Sequence, residues 1–218
     1  RTHAVDRITP HCVVGQCSVE TLGNIFAPTC RQASCQYGIG VDGRVGMYVE
    51  EKNRSWCSSS NANDQRAITI ECASDATHPY AFNDVVYAKL IELCADICKR
   101  YGKTKLLWLG DKTKTLNYEP ASNEMVLTVH RWFANKSCPG DWMYARMGDL
   151  ASKVTAKLGG STGGNDKPVD NQVLYRVQTG AFANKANANA MLQKVKAAGF
   201  DTYMVKVDNL YKIQVGAF

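Results

Sequence analysis

At 218 residues, with 45% hydrophobic and 21% charged side chains, the chain has the composition of an ordinary globular protein and room for one full domain plus a small second one. No apolar run approaches the ~18 residues of a membrane span, and the N-terminus lacks the charged–apolar–small pattern of a signal peptide; it also lacks an initiator Met, so the chain is read as either processed, with room for a lost leader, or a cloned segment. The net charge of +6 favours polyanions, including anionic cell-wall polymers, but is too diffuse for a nucleic-acid groove, so no nucleic-acid partner is expected.

The first strand-like run is Val5–Val14, which contains His11. Tyr37–Val49 reads as a hairpin turning at Asp42-Gly43. Ala67–Ala73 (A-I-T-I-E-C-A) alternates, setting Glu71 on the face opposite Ile68 and Ile70. Asn83–Arg100 opens with an Asn-Asp cap and repeats apolar residues at helical spacing. Leu106–Leu109 reads as a short buried strand, and Met125–Phe133 as another strand that carries His130. Asp141 is placed to cap a last helix with Leu150, Val154 and Leu158 on one side, stopped by Gly159-Gly160. Strands alternating with helices predict an α/β domain built on a mixed central β-sheet flanked by helices.

Residues 159–172, GGSTGGNDKPVDNQ, have the composition of a flexible linker. This divides the chain into 1–158, a linker 159–172, and a small α+β unit 173–218. The small unit repeats itself: L-Y-R-V-Q-T-G-A-F at 174–182 returns as L-Y-K-I-Q-V-G-A-F at 210–218. An amphipathic helix through Ala188, Leu192 and Val195 and a strand Thr202–Val207 lie between the copies. The second copy stops at its first strand, so the unit is expected to be incomplete: truncated, or completed by a second chain in a homodimer.

The stretch H-R-W-F-A-N-K-S-C-P-G, from His130 to Gly140, sets an imidazole, a cation (Lys136) and a thiol (Cys138) within nine residues. His and Cys are common zinc ligands, and a third is available in His11 if the strands bearing the two histidines lie side by side. Three protein ligands with a fourth position open describe a catalytic zinc. Isolated core histidines and a buried Cys would look the same from spacing alone. Glu71, a lone carboxylate in an otherwise apolar strand, is the candidate proton carrier, with a salt-bridged rim Glu as the alternative. The nine cysteines contain no C-x-x-C and are odd in number, which argues for reduced thiols rather than a disulfide scaffold or a four-cysteine zinc module.

H-R-W-F-A-N-K-S-C-P-G, the early I-T-P-H, the Y-G-I-G-V-D-G-R-V hairpin and the A-I-T-I-E strand occur in the order seen in zinc-dependent N-acetylmuramoyl-L-alanine amidases. Residues 1–158 resemble this amidase-2/peptidoglycan-recognition-protein superfamily, most strongly its endolysin and autolysin members. The resemblance implies one Zn2+ held by His11, His130 and Cys138, Glu71 as acid/base and Lys136 as the oxyanion-stabilising cation. Some relatives use a Tyr just before the hairpin strand; that place falls at Cys35 here, with Tyr37 two residues on. The tail resembles a SPOR domain, which implies binding of peptidoglycan glycan strands stripped of stem peptides. Tyr175, Gln178, Tyr211 and Gln214 are its glycan-contact candidates, with ordinary sheet positions as the alternative.

Together these features predict a peptidoglycan hydrolase that cuts between N-acetylmuramic acid and the L-alanine of the stem peptide. It would act at the cell wall or extracellularly, secreted or released by phage lysis. Trp56, Trp132, Trp142 and Tyr37 are candidates to line the substrate groove, and a core role for the tryptophans stands beside that. Two other readings are a non-catalytic peptidoglycan-recognition protein on the same fold and a structural-zinc or redox-regulated cysteine protein.

Overall fold

The computed structural model describes residues 1–159, 177–200, 202–207 and 209–215. The chain separates into two units, Arg1–Gly164 and Asn165–Phe218, which are taken in turn.

The first unit runs β1 (Arg7–Cys12), α1 (Val19–Phe26), β2 (Tyr37–Ile39), β3 (Val45–Met47), α2 (Asn61–Arg66) and β4 (Ala67–Cys72). It continues with α3 (Asp84–Arg100), β5 (Lys105–Leu107), α4 (Lys112–Leu116), β6 (Glu124–Leu127), α5 (Asp141–Tyr144) and α6 (Met147–Lys157). Six strands form one mixed sheet in the order β3-β2-β4-β1-β6-β5. Only the β2–β3 hairpin is antiparallel. The expected α/β architecture, a mixed sheet flanked by helices, is the one observed.

Alternation along the central strands separates two buried faces. Ile8 on β1 and Ile68 and Ile70 on β4 are fully buried in a core shared with Val86, Leu90 and Ile97 of α3 and Leu150 and Val154 of α6. The Asn83 side chain caps α3 by accepting from the Val86 amide. The opposite face carries Arg7, Thr9 and His11 from β1 and Thr69 and Glu71 from β4, and all five are also buried. The two threonines are satisfied by hydrogen bonds to neighbouring side chains. Thr9 and Thr128 share a hydroxyl bond of 2.7 Å, while the Asn63 side chain donates to Thr9 at 3.0 Å and accepts from Thr128 at 2.9 Å. Thr69 donates to Gln36 at 2.8 Å, and Ser58 donates to Asp64 at 2.6 Å.

Two sequence expectations change. His130 does not lie in a strand: β6 ends at Leu127 and His130–Trp132 forms a 3-10 turn. The turn lets Trp132 stack on Trp108 at 5.1 Å between ring centres, and the Arg131 amide donates to the Cys138 carbonyl at 3.1 Å. Asp141 does not cap the last helix. It opens the four-residue α5 after Gly140, and its carboxylate is held by Arg131 at 2.9 Å and His78 at 2.8 Å. Gly140 has φ +83°, and a Cβ there would meet the Pro79 carbonyl at 2.8 Å, so this corner requires glycine.

In the second unit β7 (Val177–Phe182), α7 (Lys185–Ala197), β8 (Thr202–Val207) and β9 (Leu210–Val215) form a three-stranded antiparallel sheet, β7-β9-β8, with the helix packed against it. Among the described residues, Ile213 and Val215 of β9 and Ala188 of α7 are its buried apolar residues.

Candidate active site

The parallel register of β1 and β4 places His11 directly opposite Glu71. β6 pairs with the start of β1 on the other side, so the chain leaving it delivers His130 to the same end of the sheet. Ring centres of His11 and His130 are 5.1 Å apart. The loop that follows returns Cys138, whose Sγ lies 3.2 Å from His11 Nδ1. One donor atom each from His11, His130 and Cys138 fall within 4.8 Å of one another. A second, overlapping group, His11, Cys57 and Glu71, meets the same criterion.

The surroundings of these groups are dry. Burial lowers the His11 pKa to about 3, with His130 adding to the effect, and raises that of Glu71 to about 7. Burial also pushes the Cys138 thiol well above its usual range. The His11 Nε2 and Glu71 Oε2 atoms are buried and have no hydrogen-bond partner among the described residues. Glu71 Oε1 accepts from the Cys57 thiol at 3.6 Å and lies 3.9 Å from His11 Nδ1. Ser59 Oγ sits 2.9 Å from His130 Nε2, which leaves Nδ1 as that ring's other donor atom. Two imidazoles, a thiol and a carboxylate, gathered where burial disfavours every isolated charge, make a donor set suited to a divalent metal ion.

A family model described as N-acetylmuramoyl-L-alanine amidase matches residues 1–141. The chain belongs to the N-acetylmuramoyl-L-alanine amidase family. A SPOR domain model matches residues 171–218 of this amidase. Its fold resembles PlyL, with 14% identity, a TM-score of 0.51, and coverage of 69% of this chain and 83% of that one. It also resembles the Staphylococcus aureus hydrolase AmiA solved in complex with its ligand, with 16% identity, a TM-score of 0.51, and coverage of 73% and 77%. No curated protein sequence matches the amidase. The two domains together make the protein a peptidoglycan amidase with a peptidoglycan-binding module.

Lys136 is exposed on the loop between the amidase's His130 and Cys138. After burial, its charge is the next influence that lowers the His130 pKa. Trp56 is 56% exposed, next to Cys57 in the segment that covers Glu71. The other groove candidates are placed differently. Tyr37 stands opposite Ile70 in register and so shares the face away from Glu71; its hydroxyl donates to Glu51 at 2.8 Å. Trp132 is largely buried in its stack on Trp108 yet lines a cavity of about 460 Å³ together with Ser59 and Phe133, and Trp142 packs between Phe82 and Tyr87. Cys35 is buried, with the Glu71 charge among the causes raising its pKa. All nine cysteines are free thiols.

In the tail, Gln178 pairs with Gln214 and Gln214 with Tyr203, so one row of the amidase's small sheet carries all three. Tyr211 alternates with this row and shares the face of the buried Ile213 and Val215, which removes it from the open face. Tyr203 is 39% exposed; sequence reading passed over it because it lies outside the repeated motif. Tyr175 lies outside the described residues.

Proposed function

We propose that this amidase hydrolyses the bond between the lactyl group of N-acetylmuramic acid and the L-alanine of the stem peptide, with zinc held by His11, His130 and Cys138. The observation that carries this reading is the meeting of those three donors within 4.8 Å beside the buried Glu71. When bound, zinc supplies a Lewis acid for the scissile carbonyl and lowers the pKa of water. His11, kept neutral by burial, offers Nδ1 as a lone-pair donor on the side that faces Cys138. Ser59 fixes the His130 ring through Nε2.

Glu71 takes a proton from the attacking water and returns it to the departing alanine amine. The Cys57 thiol fixes its Oε1, and Oε2, free of competing bonds among the described residues, is the atom that carries the proton. Lys136 stabilises negative charge developing on the former carbonyl oxygen. Trp56 offers an exposed aromatic surface to substrate at the rim. The tail would hold denuded glycan, the product of this cleavage, on the row Tyr203–Gln214–Gln178. The protein would thus work in the wall outside the membrane, reached by secretion or release at lysis.

The test is digestion of purified peptidoglycan followed by detection of free N-terminal alanine, alongside metal analysis of the purified protein. Zinc at one equivalent and alanine release that Glu71→Ala abolishes are expected. Release at the wild-type rate by Glu71→Ala would sink the mechanism.

A further inference from the structure

His11 belongs to two donor groups. The second joins it to Cys57 and Glu71 and contains neither His130 nor Cys138; one donor atom from each member lies within 4.8 Å of the others. All three members are buried, whereas His130 and Cys138 are only partly so. The Cys57 Sγ lies 3.6 Å from Glu71 Oε1, and that same oxygen lies 3.9 Å from His11 Nδ1. Ligands held about 2.0–2.3 Å from a tetrahedral zinc ion stand ~3.5 Å from one another. The separations here are longer and fit a larger ion.

The group also has unmet bonding capacity. Glu71 Oε2 and His11 Nε2 are buried with no hydrogen-bond partner among the described residues. A thiol is a weak donor, so the Cys57 contact does little to offset the burial of a carboxylate. A divalent ion bound by thiolate, imidazole and carboxylate answers all three side chains at once.

We propose that His11, Cys57 and Glu71 form an inhibitory site for a soft divalent ion larger than zinc, with Cd2+ as its probe. Cys57 binds as the thiolate, its proton passes to solvent, and no electron is transferred. Soft ions select such sulfur ligands, which the hard ions of the medium do not. The His11 ring is common to both groups, so an ion in this set excludes zinc from the other. It also occupies the carboxylate that otherwise moves the proton. The inhibition rests on the amidase reading of Glu71; the binding of the ion does not.

The test must separate this site from simple replacement of zinc among His11, His130 and Cys138. Full-length, metal-free Cys138→Ser lacks the thiolate of that first group. It is titrated with Cd2+ up to one equivalent, following sulfur-to-metal charge-transfer absorption and bound metal after gel filtration. One bound Cd2+ with a thiolate band is expected. Adding Cys57→Ser should abolish the band. Adding Glu71→Gln should instead keep the band and weaken binding by more than about tenfold, since even partners outside the ligand set are worth that much. No band in Cys138→Ser, or a band that survives Cys57→Ser, overturns the proposal. Circular dichroism checks that each variant folds; should the Cys57→Ser protein fail to fold, an unchanged affinity in Glu71→Gln overturns the proposal by itself. In the zinc-loaded wild type, Cd2+ should stop alanine release and free one zinc for each Cd2+ taken up. Cys57→Ser, measured against its own cadmium-free rate, should need about tenfold more Cd2+; equal sensitivity overturns the inhibitory role. If wild type releases no alanine at all, the amidase reading fails, and the Cd2+ titration of Cys138→Ser still decides the site.

Discussion

His11 and Glu71 face each other across adjacent parallel strands, Nδ1 to Oε1 at 3.9 Å, in a setting that leaves one exposed by 1% and the other by 8%. Burial dominates both groups; for Glu71 it outweighs the opposing influences of the Cys57 hydrogen bond and the Arg31 charge. Burial lowers the pKa of one and raises that of the other, so the pair rests neutral until a cation joins it.

The Glu71→Gln variant should retain zinc and lose hydrolysis by about 10²–10⁴-fold, the usual worth of a positioned acid/base. The metal-free proteins give a second reading. Between pH 4.5 and about 7 folded Glu71 holds a proton that the unfolded chain has lost, so metal-free wild type loses stability as pH rises through that window. Removing the carboxyl should raise the denaturation midpoint relative to wild type at pH 8, by on the order of 3 kcal/mol, and leave it equal at pH 4. Equal midpoints at both pH values would show that burial does not perturb this carboxyl.

Zinc affinity should fall most steeply for Cys138→Ser, which replaces the thiol facing His11. The Ser59→Ala protein should bind zinc about 10–100-fold more weakly through loss of the bond to His130 Nε2. Chelator competition measures both, and unchanged zinc affinity in Ser59→Ala would show that the hydroxyl does not orient the ring.

Lys136 has no structural work to lose, being exposed on its loop. Lys136→Ala should therefore keep its melting temperature and KM while kcat falls about 10²–10³-fold, with partial recovery in Lys136→Arg. A rise in KM at unchanged kcat would instead assign the side chain to substrate binding.

Asn63 bonds Thr9, Thr128 and Ser58 beneath the site. Asn63→Ala leaves those buried hydroxyls short of partners, and a loss of about 1–3 kcal/mol in urea denaturation is expected. A neutral result would mean the hydroxyls satisfy one another without it.

Glycan retention tests the tail. Replacing Tyr203 and Gln214 together should weaken binding to peptidoglycan stripped of stem peptides by about tenfold or more, since stacking and amide contacts are lost from one row. Tyr211→Ala, on the opposite face, should instead lower the stability of the tail.

Much of the site was readable before the fold because its residues sit in regular strands. The alternation of A-I-T-I-E-C placed Glu71 opposite Ile68 and Ile70, as observed. A further signal went unused: Thr9, Thr69 and Thr128 each stand two residues before His11, Glu71 and His130. Those threonines, all fully buried, announce a polar inner face on which the next inward residue is the functional one. What periodicity could not give was the turn at His130, set by the stacking of Trp132 on Trp108, and the fate of Tyr37, which follows from its pairing with Ile70. Likewise invisible was the choice of Arg66, rather than Arg7, as the ion-pair partner of Asp6.

Since side chains alternate with a period of two, any one-residue slip of β1 against β4 would exchange Ile8 for Arg7 in the oily interior and bury His11 on the wrong side. The apolar layer thus proofreads the chemical one. A molecule that has packed Ile8 against Ile68 has already aligned His11 with Glu71.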